Sequence, residues 1–97
     1  MPDYVRVATF EADAAAVDAV VREIESSEGP PPDIPAKAIM VLADREGGRA
    51  RIVVRFGSED DLRAGHEALN RMEPPPDASM RRVSVEMFEV ALERQAP

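Results

Sequence analysis

Lys37-Ala-Ile-Met-Val-Leu-Ala43, then Asp44-Arg-Glu-Gly-Gly48, then Arg49-Ala-Arg-Ile-Val-Val-Arg-Phe56 is the stretch that decides the fold. Two runs rich in β-branched and apolar residues flank a polar turn whose glycines are free to take positive φ. That is the pattern of an antiparallel hairpin. In the second run, Ala50, Ile52, Val54 and Phe56 share one face, and Arg51, Val53 and Arg55 share the other. In the first run both faces are apolar: Ile39 and Val41 point one way, Met40 and Leu42 the other.

Upstream of the hairpin, Tyr4-Val-Arg-Val-Ala-Thr-Phe10 reads as a first strand. Asp13 is placed to cap a helix running to about Ser27, with Val17, Val20, Val21 and Ile24 on one stripe. Gly29 stops it, and Pro30-Pro31-Pro32 keeps it from resuming, which leaves a stiff loop through Pro35. Downstream, Gly57-Ser58 opens a second helix that continues to about Met72. Ser58 and Asp61 stand at capping-box spacing, and Glu59, Asp60 and Asp61 sit at the positive end of the helix dipole. Pro74-Pro75-Pro76 ends this helix, as the first proline triplet ends the other. A fourth strand is expected from Arg81 to about Leu92, with residues 93–97 frayed. Within that strand the apolar parity switches from Val83, Val85 and Met87 to Phe88, Val90 and Leu92. A period-two strand does not change face, so the switch predicts a bulge near Met87-Phe88 or a new environment there, such as a second subunit.

The order strand, helix, strand, strand, helix, strand is the split βαβ or ferredoxin-like pattern. The fold class is therefore α+β, with residues 1–97 as a single domain. Right-handed crossovers place both helices on one face of a four-stranded antiparallel sheet. The other face meets solvent or a partner, an uncovered apolar sheet face would be a large exposed patch, and a chain of 97 residues buries only roughly two-thirds of the surface its unfolded form exposes. A homodimer paired sheet face to sheet face is the expectation, against the alternative of a monomer with a half-buried sheet.

Composition narrows the function classes. A net charge of −7 argues against nucleic-acid binding, which needs clustered basic residues, and against an anionic membrane surface. With no cysteine and one histidine there is no thiolate nucleophile, disulfide framework or zinc or iron–sulfur ligand set, so no metal and no cofactor is expected. Residues 1–7 have neither a basic nor an apolar signal segment, and no run approaches the ~18 apolar residues of a membrane span, so the expected location is the cytoplasm. The Arg-, Ala- and Pro-rich usage suggests a GC-rich bacterial genome.

Few residues are candidates for chemistry. His66 shares the stripe of Leu62, Gly65 and Leu69, so it faces the sheet or its edge and can act as acid, base or ligand. A lone histidine on an apolar stripe is more commonly just packed and hydrogen-bonded. Gly65 removes bulk from the same face, which either opens space for a ligand or permits close helix–sheet contact. Arg6, Arg51 and Arg55 lie on central strands, and any that enters the helix-covered layer needs a carboxylate or a bound anion. Tyr4 and Phe56 are candidates to line an aromatic pocket, against a plain core or interface role. Gly47-Gly48 sits in a hairpin rather than between a strand and a helix, so it is no phosphate loop.

Four segments, Tyr4–Phe10, Leu42–Gly48, Val54-Arg-Phe-Gly-Ser-Glu-Asp-Asp-Leu62 and Ser84-Val-Glu-Met-Phe-Glu-Val90, resemble the dimeric α+β barrel superfamily, and within it the antibiotic-biosynthesis-monooxygenase-like proteins. The resemblance spans most of the chain and implies the same ferredoxin-like fold and a homodimer. That group includes cofactor-independent oxygenases of aromatic polyketides, haem-degrading enzymes and many small proteins of other roles, so fold does not fix function. The haem-degrading branch uses an Asn on the first strand, a Trp ending the third and a His on the next helix. Here Phe56 stands in the Trp region and His66 in the His region, while residues 4–10 contain no Asn. The polyketide oxygenases rely on Asn, Trp and Tyr, and this chain has no Trp and carries Asn70 on the second helix.

The sequence thus points to a small dimeric α+β barrel protein that binds a small apolar or aromatic molecule, with a pocket drawn from Tyr4, Arg6, Phe56, Gly65 and His66 and with no catalysis evident. Two alternatives stay open. One is a cofactor-independent monooxygenase for an aromatic substrate in which His66 assists proton removal with an Arg. The other is a structural or protein-interaction dimer.

Overall fold

The computed structural model describes residues 2–29, 34–71 and 80–96. The proline triplets that the sequence reading treats as helix stops lie outside these residues. The elements run β1 (Tyr4–Ala12), α1 (Ala14–Ser26), β2 (Ala36–Asp44), β3 (Arg49–Phe56), α2 (Glu59–Arg71) and β4 (Met80–Glu89). The four strands form one antiparallel sheet in the order β2-β3-β1-β4. This is the expected ferredoxin-like arrangement.

Local chemistry sets the boundaries. The Asp13 carboxylate accepts the Ala16 amide at 2.8 Å and caps α1, and the Ser58 hydroxyl accepts the Asp61 amide at 3.1 Å at the start of α2. Each satisfies one of the orphan donors of a helix start. In the β2–β3 turn, Asp44 accepts the Gly47 amide at 2.9 Å, and Gly48 takes φ +67°, a region a side chain disfavours.

Both helices cover the same face. Val54, Phe56, Leu62, Ala68 and Ile34 make one buried cluster, and Ala12, Val17 and Ala50 make a smaller one beneath α1. Phe56 is fully buried, a burial of the kind that stabilises by roughly 1.5–3 kcal/mol. α2 rests on β1, β3 and β2. The helix-side surface of the edge strand β4 is left partly open, with Met87 47% exposed.

Two expectations for β4 need correction. The register shift lies between Thr9 and Phe10 of β1, where Ser84 pairs with Thr9 and Arg82 with Phe10. Val83 is therefore the extra residue, and no bulge occurs at Met87-Phe88. The apolar parity switch arises because successive apolar residues of β4 fall on opposite sides: Met87 faces the helix layer opposite Arg6, and Phe88 faces the open side opposite Val5. The strand also ends at Glu89, opposite Tyr4, because β1 offers no ladder partner beyond it. The segment that follows is not simply frayed. The Val90 amide donates to the Asp3 carbonyl at 2.8 Å. Glu93 accepts two hydrogen bonds from Arg55, at 2.6 and 2.9 Å.

Candidate functional site: the groove between α2 and β4

Alternation along β1 sends Tyr4, Arg6, Ala8 and Phe10 into the helix layer, on the side of Phe56 and Val54. Arg6 is thereby carried under α2 and is only 4% exposed. Its Nε donates to Nδ1 of His66 at 3.1 Å, and its Nη2 donates to Oδ1 of Asn70 at 3.2 Å. Arg82 approaches from β4 and donates from Nη1 to the same Asn70 oxygen at 2.8 Å. The bulge at Val83 makes this contact available, since it gives Arg82 the face of its partner Phe10. The amide nitrogen of Asn70 lies 3.1 Å from Nε2 of His66. Among the described residues no carboxylate pairs with Arg6 or Arg82.

Electrostatics follow from that geometry. Burial, and secondarily the charge of Arg82, lower the Arg6 pKa from its ordinary value. Burial, then the charges of Arg6 and Arg82, also hold His66 below its ordinary pKa, against a smaller opposing effect of Glu67. Neutral His66 is the form that suits its position, because an imidazolium has no lone pair to offer Arg6.

Beside this cluster lies an open cleft of about 390 Å³ lined by Tyr4, Leu62, Met87 and Phe88, with Glu59, Arg63 and Glu89 at its charged margin. Cleft and cluster adjoin. Met87 pairs directly with Arg6 in the sheet, and Leu62 stands one helical turn before His66.

The sequence candidates separate here. Tyr4, Arg6 and His66 come together along the groove. Phe56 and Gly65 meet beneath it, but in a different capacity: a Cβ at Gly65 would overlap the Phe56 ring. The room that glycine leaves is filled by the ring and is not open to a ligand. Arg51 and Arg55 lie on the other face of the sheet. Arg51 donates to the Thr9 hydroxyl at 3.3 Å, and Arg55 binds Asp3 and Glu93. The sequence reading missed Asn70 and Arg82 as site residues. Asn70 had a usable signal, lying one turn beyond His66. No group of three or more His, Asp or Glu among the described residues is gathered to hold a metal ion. No described helix is long and apolar enough to cross a membrane.

The elements and their order define a ferredoxin-like α+β domain. The solved structure of a "putative Antibiotic biosynthesis monooxygenase" from Chloroflexus aurantiacus J-10-fl is similar over 96% of this chain and 97% of that one, with a TM-score of 0.59 and 13% sequence identity. The likeness is one of fold. No family model matches the sequence, and no curated protein matches it.

Proposed function

We propose that this chain works as a homodimer joined through its open sheet face, and that it binds a small, largely apolar or aromatic molecule in the groove between α2 and β4. The observation that carries the binding reading is the adjacency of an apolar cleft to a convergent polar cluster. Tyr4, Leu62 and Met87 supply the helix-side wall, and Arg6, His66 and Asn70 supply the polar end. Small-molecule sites commonly have this make-up. The pairing rests on the opposite face, where Met40, Leu42 and Phe88 are 57%, 45% and 49% exposed. Exposed apolar side chains on both edge strands of one sheet face favour burial against a partner.

The monooxygenase reading draws support from the Arg6–His66 contact, since an imidazole held neutral beside a cleft is a candidate base. The bonding favours a positioning role. The one lone pair of neutral His66 is turned to Arg6, so accepting a substrate proton there requires giving up that bond. A structural or protein-interaction dimer would need no cleft.

Thermal-shift measurements with neutral fused-ring aromatics test the binding reading. We expect a concentration-dependent rise in melting temperature that Leu62→Ala or Met87→Ala weakens. No rise with any ligand would overturn binding and favour the interaction dimer.

A further inference from the structure

Among the described residues, the Arg6–Asn70–Arg82 cluster is short of acceptors. Arg6 brings Nε and Nη2, Arg82 brings Nη1 and Asn70 brings its amide nitrogen, so four donors converge. Among the described residues the acceptors they meet are the Asn70 oxygen and one nitrogen of neutral His66. The second imidazole nitrogen carries the proton once Nδ1 accepts from Arg6. It then faces the Asn70 amide nitrogen donor to donor, and turning the amide over would set its nitrogen against both guanidinium groups. No assignment of tautomer and amide satisfies every contact. Two guanidinium groups share one neutral oxygen, one of them almost wholly buried, where burial of a cation calls for an opposing charge. The rest of the surface of this acidic protein supplies carboxylates freely. Asp3, Glu11, Asp18, Glu59 and Glu93 each pair with a basic residue elsewhere.

We propose that Arg6 and Arg82, beside Asn70, form the binding site for the carboxylate of a small aromatic acid whose ring lies in the adjoining cleft. This rests on the binding reading above and specifies its ligand class. A carboxylate is the planar isostere of the Asn70 amide, with two oxygens in place of one. It would meet the Arg6 and Arg82 donors with a charge and accept from the amide nitrogen as well. Arg82 and Asn70 are exposed, so the anion has a path to the cluster without unfolding α2. The cleft begins on the same side, with Tyr4 two residues from Arg6 on β1, about 7 Å along the strand.

The test compares 2-naphthoate with 2-naphthamide by calorimetric titration of the wild-type protein at pH 7.5 and fixed ionic strength. The carboxylate is expected to bind at least roughly tenfold more tightly than the amide, the size of one charge-assisted hydrogen bond. Arg82→Gln, on the exposed edge strand, is expected to reduce that ratio to near one. Asn70→Asp places the missing charge within the protein, so it is expected to abolish the preference while raising the melting temperature. Equal affinity for the two naphthyl ligands in the wild type overturns the carboxylate site and leaves the binding reading standing. Failure of both ligands to bind overturns the two together. Tighter binding of inorganic phosphate than of naphthoate, suppressed by Arg82→Gln, also overturns it, since the site would then serve a free oxyanion.

Discussion

The Nε of Arg6 donates to Nδ1 of His66 at 3.1 Å, joining the inner strand β1 to the middle of α2. Because an arginine can only donate, this bond decides the imidazole tautomer and leaves Nε2 as the protonated nitrogen. It also links a buried cation to a histidine kept neutral, which makes the groove sensitive to both charge and pH.

Replacing Arg6 by Met should stabilise the fold by about 1 kcal/mol, because a buried cation without a carboxylate gives way to an apolar chain of similar volume. Urea denaturation measures it as a higher midpoint at unchanged slope. A loss of several kcal/mol would show instead that the bonds to His66 and Asn70 outweigh the cost of burying the charge.

Acidification should weaken the fold through His66. Its folded pKa is lowered by burial and by Arg6 and Arg82, with Glu67 opposing. The unfolded chain then binds the proton at higher pH than the folded one. Stability is full above the unfolded value of about 6.5 and falls as pH drops from there toward the lower folded value. Melting temperatures between about pH 5 and 8 should show this slope in the wild type, and His66→Gln should flatten it.

Gly65→Ala should destabilise by roughly 1–3 kcal/mol although alanine is the better helix former, because the added methyl overlaps the Phe56 ring. Phe56→Leu removes the ring and so the clash. In a double-mutant cycle the alanine should cost clearly less in the Phe56→Leu background than in the wild type. Equal cost in both backgrounds would place the effect elsewhere.

The segment after β4 should loosen in acid. Arg55 lowers the pKa of both Asp3 and Glu93, and Lys37 adds to the effect on Asp3. Ion pairing of this sign contributes above the unfolded carboxylate values, near about 4, and is lost as pH falls through the lower folded ones. Amide exchange at Val90 to Arg94 should accelerate on titration below that range, and Arg55→Ala should produce the same acceleration at neutral pH.

The fold could be read from the sequence because its signals are local. The alternation at Ala50, Ile52, Val54 and Phe56, the Asp13 and Ser58 caps and the Asp44–Gly48 turn each act within a few residues. The site was legible only in part. Arg6 follows from strand alternation and His66 from helical spacing, but Arg82 does not. The bulge at Val83 inverts the parity that would have placed it, and apolar residues on both sides of β4 drew the expected bulge to Met87-Phe88 instead. The filling of the Gly65 gap by Phe56 depends on how α2 is seated over β3, which no local pattern encodes.

The central claim is a paired domain with a ligand groove on its helix side, and the pairing is the part most directly measured. Light scattering on the purified wild-type chain at micromolar concentration should give a mass twice 10.6 kDa, and Phe88→Arg on the open sheet face should return it to the single value. A wild-type mass of 10.6 kDa under those conditions would contradict the account.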